Sequence, residues 1–428
     1  MSTSTPARRF GAVEMAWWFV LAAVAAASAG EQPQLRFFRH VLTDLYFCDG
    51  INAADIQGDG VTDIIAGPFW YAGPDFRMSY PFYEPVPLPP APRPSNSMFS
   101  FPYDFNGDGW MDILVLGRHR FHSAYWYENP GPATAADPVA RWKKHFAMHR
   151  VAGEAPIFRD IDGDGRPELL SFLGDNTEDN ELRQLGWYSP DWSRPTAPWS
   201  FVPVTEREPF PHNYHGEGVG DINGDGRLDI VLTEGWWEQP AQDAALGTRW
   251  KKHPFVFSAD VGGAQMLVYD INGDGLNDVF TSKNAHGWGL SWFEQVRNGT
   301  GGIGFREHRV MGTRAEEPQF GIAFSQPHAL ALADLDGDGI PDVVTGKRRW
   351  AHGPTGDVEP MGTPVVYVFL TRHDPATDGG ARFLARLVDD NSGVGVQVVA
   401  ADVTHDGVPD VLTASKLGTF VFVTERDN

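Results

Sequence analysis

Seven short acidic loops recur along the chain, and nothing else in the sequence constrains the fold as strongly. They read DIQGDGVTD from Asp55, DFNGDGWMD from Asp104, DIDGDGRPE from Asp160, DINGDGRLD from Asp221, DINGDGLND from Asp270, DLDGDGIPD from Asp334 and DVTHDGVPD from Asp402. Their starts lie 49, 56, 61, 49, 64 and 68 residues apart. A period of that size marks a solenoid or propeller, in which each repeat is one supersecondary unit.

The chemistry of the loops points to calcium, a hard cation that gathers six to eight oxygens. Positions one, three, five and nine supply them. In the first loop these are Asp55, Gln57, Asp59 and Asp63; in the second, Asp104, Asn106, Asp108 and Asp112. The third has Asp160, Asp162, Asp164 and Glu168; the fourth, Asp221, Asn223, Asp225 and Asp229. The fifth has Asp270, Asn272, Asp274 and Asp278; the sixth, Asp334, Asp336, Asp338 and Asp342. The seventh departs most: Asp402, Thr404, Asp406 and Asp410 remain, but His405 replaces glycine. Position six is Gly in all seven, where a chain wrapping an ion must turn sharply. The last acid falls at position nine, so these are not EF-hands, whose last ligand is at twelve. Up to seven structural Ca²⁺ sites are therefore expected.

The flanks are strands. After each loop comes a β-branched run such as IVL or VVT, then an aromatic one such as FWYAGP, YWYENP or GWWEQP, then an alternating one such as WKKHFAMHRV or FREHRV. With the strand before each loop this makes four per repeat, called A to D in chain order. Seven such units predict an all-β, seven-bladed β-propeller. The sequence stops just after the seventh C strand, whereas LRFFRHVL at 35–42 resembles the D strands and precedes the first repeat. These residues are expected to complete the seventh blade and remove an open edge.

Two further features bear on context. Arg8 and Arg9 precede the apolar stretch from Ala16 to Ala27, and Ala27-Ser28-Ala29 has a small-x-small form. Residues 1–29 thus read as a secretory signal peptide, with residues 30–428 forming the propeller, secreted or periplasmic. No later segment reads as membrane-spanning. Cys48 is the single cysteine, so no internal disulfide can form and metal is the natural alternative staple. The formal charge of −22 becomes −23 without the signal, and seven Ca²⁺ would return +14. The acidity is accounted for largely by metal, and a nucleic-acid partner is excluded on charge.

The loops followed by DIV-type strands resemble the FG-GAP or VCBS repeats of integrin α-chain propellers and of many exported bacterial proteins. HGEGVGDINGDGRLDIVLTEGWWEQP at 215–240 and PHALALADLDGDGIPDVVTGKRRWAHGP at 327–354 are similar to the propeller domain of the aldos-2-ulose dehydratase family. Members of that family also carry cupin domains, which this sequence lacks, so activity belonging to those domains does not carry over. Some polysaccharide lyases also use calcium-bearing propellers. The resemblance therefore implies the fold and keeps sugar elimination in view.

A candidate site emerges from equivalent positions. Six residues before each first ligand stand Asp49, Met98, Glu154, His215, Ala264, His328 and Val396. Two histidines and two carboxylates would ring one mouth of the central channel, opposite the calcium loops. The B–C loops on that face add Arg118, His119, Arg120, His122, Glu234, Trp236, Trp237, Lys283, His286, Lys347, Arg348, Arg349, Trp350, His352 and Lys416, and SQPH adds Gln326. Trp faces stack on sugars, and His with carboxylates can hold a Zn²⁺-like ion. β-Elimination from a keto-sugar needs a base and a cation for the enolate. His215, His328, Glu154, Lys347, Arg348 and His352 are the catalytic candidates. Asp49, His119, His122, Glu234, Trp236, Trp237, His286, Gln326, Arg349 and Trp350 are the candidate substrate contacts. His40, His145, His253 and His308 fall on outer strands, where a solvated role is expected. Two function classes follow: a carbohydrate lyase of the dehydratase type acting on a small sugar or a polysaccharide end, or a non-catalytic binding or adhesion propeller. Convergence of His215, His328 and Glu154 on one point would favour the first.

Overall fold

The computed structural model describes residues 34–89, 94–117, 123–132, 141–149, 151–174, 182–211, 213–241, 249–259 and 262–427. Twenty-eight strands form seven four-stranded antiparallel sheets set in a ring, a β-propeller. The expectation for residues 1–29 lies outside the described residues. No helix among those described is long and apolar enough to cross a membrane.

The first strand, β1 (Leu35–Thr43), stands apart from the blade that follows it. Blade one is β2 (Ile51–Ala54), β3 (Asp63–Ala66), β4 (Phe69–Tyr71) and β5 (Ser79–Pro81). Blade two is β6 (Phe99–Tyr103), β7 (Asp112–Leu116), β8 (Ala124–Glu128) and β9 (Lys143–Met148). Blade three is β10 (Val151–Arg159), β11 (Glu168–Leu173), β12 (Gln184–Ser189) and β13 (Ser200–Pro203). Blade four is β14 (Glu217–Gly220), β15 (Asp229–Leu232), β16 (Gly235–Glu238) and β17 (Lys251–Pro254). Blade five is β18 (Leu267–Tyr269), β19 (Asp278–Ser282), β20 (Leu290–Arg297) and β21 (Ile303–Met311). Blade six is β22 (Pro327–Ala333), β23 (Asp342–Lys347), β24 (Val366–His373) and β25 (Ala381–Asp389). Blade seven is β26 (Val398–Ala401), β27 (Asp410–Ser415) and β28 (Gly418–Arg426), with β1 as its outer strand. The pairing of β1 with β28 runs from Leu35 opposite Arg426 to Thr43 opposite Thr419, so the expected ring closure is present.

The first strand of each blade is innermost. Asn52 Nδ2 donates to Ser100 O at 2.8 Å across blades one and two. Gly218 bridges Met266 across blades four and five, and Gln265 Nε2 reaches Val396 O at 3.2 Å. Second strands are buried on both faces (DIIA, DILVL, DIVL, DVLTAS), which explains their unbroken apolar runs. The core lies between blades: Leu170 and Phe172 of blade three pack with Ile230, Leu232 and Trp237 of blade four.

The outer strands correct one expectation. His40 is exposed as expected, but His145, His253 and His308 are not simply solvated. Each stacks flat on the tryptophan directly across the ladder, Trp126, Trp236 or Trp292, with ring centroids 4.2, 3.9 and 4.4 Å apart. Each ring Nε2 also meets a glutamate two residues on from that tryptophan: Glu128 at 2.6 Å, Glu238 at 2.7 Å and Glu294 at 2.7 Å. Directly opposed residues on neighbouring strands project from the same face of a sheet, so each D-strand histidine covers the tryptophan of the aromatic C strand beside it.

Candidate functional site

The acidic loops are built as Asx-type turns. In the second, Asp104 accepts backbone N–H groups from Gly107 at 2.7 Å, Asp108 at 3.0 Å and Gly109 at 2.8 Å. The position-nine acid ties the loop to strand C: Asp229 accepts from Ile222 N at 2.9 Å with one oxygen and from Gln239 N at 2.9 Å with the other. Burial pushes Asp112, Asp229 and Asp278 up to about 7 despite such hydrogen bonds, and neighbouring loop acids add to the push. In the third loop Asp160, Asp162 and Glu168 bring ligand oxygens within 4.8 Å of one another, and in the sixth Asp334, Asp336 and Asp342 do the same. Such oxygen sets, from positions one, three and nine, fit a hard divalent cation, although in the sixth loop Arg372 already lies on Asp336 and Asp338. The seventh loop keeps the shape: Asp402 accepts from Asp406 N at 3.1 Å and Gly407 N at 2.9 Å.

At the other end of the inner strands, polar side chains from five blades converge. A strand separates each from its loop: His215 stands just before β14 and Asp221 just after it, six residues or ~20 Å along an extended chain. His215 Nε2 lies 3.3 Å from His328 Nε2, and Glu154 Oε2 lies 3.4 Å from the first and 3.5 Å from the second. The ring of His286, from the B–C loop of blade five, sits with its centroid 5.1 Å from both. Arg348 bridges the cluster, with Nη1 2.9 Å from His328 Nε2 and 3.4 Å from Glu154 Oε2, and Nη2 3.3 Å from Asp49 Oδ1. Asp49 is held in turn by the Tyr46 hydroxyl at 2.7 Å and Ser95 N at 2.7 Å.

Local irregularities aim these side chains. The β10–β11 register slips between Ala152 and Ile157, around Glu154, and the β22–β23 register slips between Pro327 and Leu330, around His328. Such bulges turn a side chain out of the regular alternation. Gly153 takes φ +94°, and a Cβ there would meet Glu217 Oε1 at 2.5 Å, so only glycine permits the bend before Glu154. Gln326, at φ 58°, ties the 348–359 loop down: its Nε2 donates to Val358 O at 3.0 Å and its Oε1 accepts from Ala351 N at 3.2 Å. Lys416 Nζ donates to Trp350 O at 2.8 Å from blade seven.

The cluster is buried and under-satisfied. His215 and His328 are fully buried, and their Nδ1 atoms, like Arg348 Nε, have no hydrogen-bond partner among the described residues. Burial holds His328 well below the usual histidine range, and the Arg348 guanidinium deepens that shift. Burial also lowers His286 in spite of Asp357. Burial would raise Asp49, but Arg348 and Lys416 bring it below the ordinary carboxylate range. Unpaired buried polar atoms are costly and rare in folded proteins, so their concentration at one point signals a ligand or a function. A second group lies alongside, towards solvent. Asp357 Oδ1 is 2.8 Å from His352 Nδ1 and 3.5 Å from His286 Nδ1. The hydrogen bond to Asp357 raises His352, whose side chain is 57 % exposed.

Placement of the sequence candidates is uneven. His215, His328, Glu154, Arg348, Asp49, His286 and His352 come together. Lys347 is buried and donates to Ser325 Oγ at 2.7 Å; burial pushes it down to about 8. Trp236 and Trp237 are buried between blades, so neither presents a face to the rim. Glu234 turns to Tyr214 and Thr233, away from the cluster. Arg349 lies over the Trp350 ring at 4.8 Å beside the site. His119 and His122, with Arg118 and Arg120, lie outside the described residues. Sequence reasoning missed Asp357 and Tyr46. Asp357 sits five residues after His352 in the same loop, and a search for acids as well as bases in the B–C loops would have found it.

A profile of FG-GAP-like repeats matches residues 104–171 and 270–345, so the chain carries FG-GAP-like repeats. No curated protein matches. Among solved structures, a rhamnogalacturonan lyase, YesW, aligns with a TM-score of 0.42 and 12 % identity, over 92 % of this chain and 74 % of that one. The BBS1N chain from a complex with ARL6DN aligns with a TM-score of 0.43 and 8 % identity, over 90 % of this chain and 94 % of that one.

Proposed function

We propose that this protein is an exported, calcium-stabilised propeller whose opposite face is a metal-assisted sugar lyase of the dehydratase type, eliminating a β-substituent from a keto-sugar. The observation that carries the reading is the Glu154–His215–His328 triangle. Its sides of 3.3, 3.4 and 3.5 Å match the edge of a tetrahedron of Zn–N and Zn–O bonds, roughly 3.3–3.4 Å. His286 completes a three-histidine group whose ligand nitrogens lie within 4.8 Å of one another. A Zn²⁺-like ion there would act as a Lewis acid on the keto oxygen and on the enolate that follows.

The chain's own residues divide the remaining work. Asp357 holds His352 by Nδ1, which leaves Nε2 free on the solvent side to take the α-proton. As the C–H bond breaks, its electrons form the C=C bond and the β-substituent leaves; the His352 imidazolium can return the proton to that leaving oxygen. Asp49 and Arg348 fix Glu154 from behind, a second-row role that sets ligand orientation. Arg348 Nη1 would have to yield its contact with His328 Nε2 to a bound cation and remain on Asp49 and Glu154. Access to the buried histidines would run past His286 and His352. That burial also favours a second reading, a binding or adhesion module in which the cluster is structural.

The assay supplies anhydro-keto-sugars, aldosuloses and uronic-acid polysaccharides with Zn²⁺ and follows ultraviolet absorbance of the unsaturated product. Turnover that vanishes in His215→Ala and His328→Ala, with loss of bound metal, is expected. A protein that binds these sugars without turnover in any metal form would establish the binding module instead.

A further inference from the structure

The seven acidic loops do not share one environment. In six blades the position-nine carboxylate accepts a backbone N–H from strand C or from just beyond its end, donated by Gly73, Asn129, Gln239, Gln295, Thr371 or Thr424. The residue after each donor is Pro74, Pro130, Pro240, Val296, Arg372 or Glu425. Blade six alone places a cation there.

Arg372 does not turn out to solvent. Its side chain is 8 % exposed, and it lies among loop carboxylates of which Asp336 and Asp342 are buried and Asp338 is partly exposed. Nη2 donates to Asp336 Oδ2, Nη1 lies 2.9 Å from Asp338 Oδ2, and the same atom lies 3.9 Å from Asp342 Oδ1. Those are positions three, five and nine. The third loop offers an internal comparison, because it has the same four-acid set in Asp160, Asp162, Asp164 and Glu168. There Asp160 accepts from Gly163 N and Gly165 N, Asp162 from Asp164 N, Asp164 from Arg166 N and Glu168 from Ile161 N. Those are backbone donors, and among the described residues no side-chain cation pairs with these four acids.

A guanidinium carries a fixed charge and five donors in a planar fork, suited to bridging several carboxylates. Seated on positions three and five, it takes one oxygen of each carboxylate, Asp336 Oδ2 and Asp338 Oδ2, and puts a positive charge where a calcium ion would sit. Calcium could enter only by displacing this buried, paired cation. We propose that Arg372 is the resident cation of the sixth loop, which therefore holds its turn without a divalent ion while loops such as the third take one. The inference rests on the calcium reading of the loops.

Native mass spectrometry of the desalted full-length protein with added Ca²⁺ counts the ions. Arg372→Gln should bind one more ion than the wild type. Asp338→Asn should leave the wild-type count unchanged, whereas Asp164→Asn in the third loop should lower it by one, because position five is Asp in all seven loops. An equal count in Arg372→Gln and wild type, or an ion lost in Asp338→Asn, overturns the role of Arg372 alone. No calcium in any of the proteins overturns the calcium reading and this inference with it. If Arg372→Gln does not fold, the Asp338→Asn and Asp164→Asn pair decides, since each removes one carboxylate and leaves every arginine in place.

Discussion

Single residues decide whether the rim is a site or a polar surface, and Arg348 is the most exacting of them. It is a buried guanidinium shared by Asp49, Glu154 and His328, each at the inner end of a different blade. Arg348→Met would keep much of the volume and strand two buried carboxylates without their counter-charge. Removing one partner of a buried ion pair typically costs about 3–5 kcal/mol. Urea unfolding should show a loss of that order; a loss below ~0.5 kcal/mol would mean that the carboxylates find other partners. The residues at this scale were legible where the repeat aligns them. Asp49, Glu154, His215 and His328 all stand six places before a loop, so one period picks them out together. His286 and Asp357 sit in B–C loops of unequal length, where no offset carries over. Trp236 and Trp237 misled because a Trp-rich turn reads alike whether it faces solvent or the next blade. His405 shows the reverse case: it broke the loop pattern on paper, yet at φ 58° it adopts the left-handed turn that Gly337 adopts at φ 81° in the sixth loop.

Among the elements, the C and D strands of blades two, four and five share a device that hydrophobic patterning conceals. Trp126 faces His145, Trp236 faces His253 and Trp292 faces His308, and two places along, Glu128, Glu238 and Glu294 face Lys143, Lys251 and Arg306. Alternation revealed the strands, but a histidine on an outer strand carries no mark of the ring beneath it. The device has a pH signature. Burial would raise Glu128, but hydrogen bonds from His145 and Lys143 bring it below the ordinary glutamate range. The hydrogen bond from His253, with help from Lys251, does the same for Glu238. A carboxyl depressed in the folded state stabilises it above its unfolded value and loses that contribution as pH falls through the folded one. Both groups are partly open to water, so each is worth no more than ~0.5 kcal/mol after screening. Melting temperature should therefore fall between about pH 5 and pH 3, and Glu128→Gln with Glu238→Gln should flatten that limb. An unchanged acid limb in the double variant would remove the device from any account of stability.

At the scale of the molecule the ring has two demands, closure and charge, and they can be tested apart. Closure depends on β1, which hydrogen-bonds along β28 and contributes Leu35 and Phe37 to the packing of blade seven. Deleting 35–43 would bare a nine-residue edge strand, and aggregation or a large loss of stability should follow. A monomeric deletion protein with unchanged melting would show that the seam closes without it. Charge is the other demand. The loops gather carboxylates at one end of the inner strands, and the formal charge of −22 leaves much of that repulsion without a counter-ion in the chain itself. A cation that binds only the folded ring stabilises it by mass action, by ~2.7 kcal/mol per site at a hundred times its dissociation constant. Melting should accordingly rise with Ca²⁺ and fall in chelator, whereas Mg²⁺, which demands a tighter octahedral shell, should substitute poorly. His215→Ala and His328→Ala should shift neither curve's calcium dependence, because a full inner strand separates those side chains from the loops. Coincident melting in Ca²⁺ and in chelator would mean that backbone donors hold the turns unaided. A calcium dependence lost along with the rim histidines would mean that the two ends of the propeller are coupled through the inner strands.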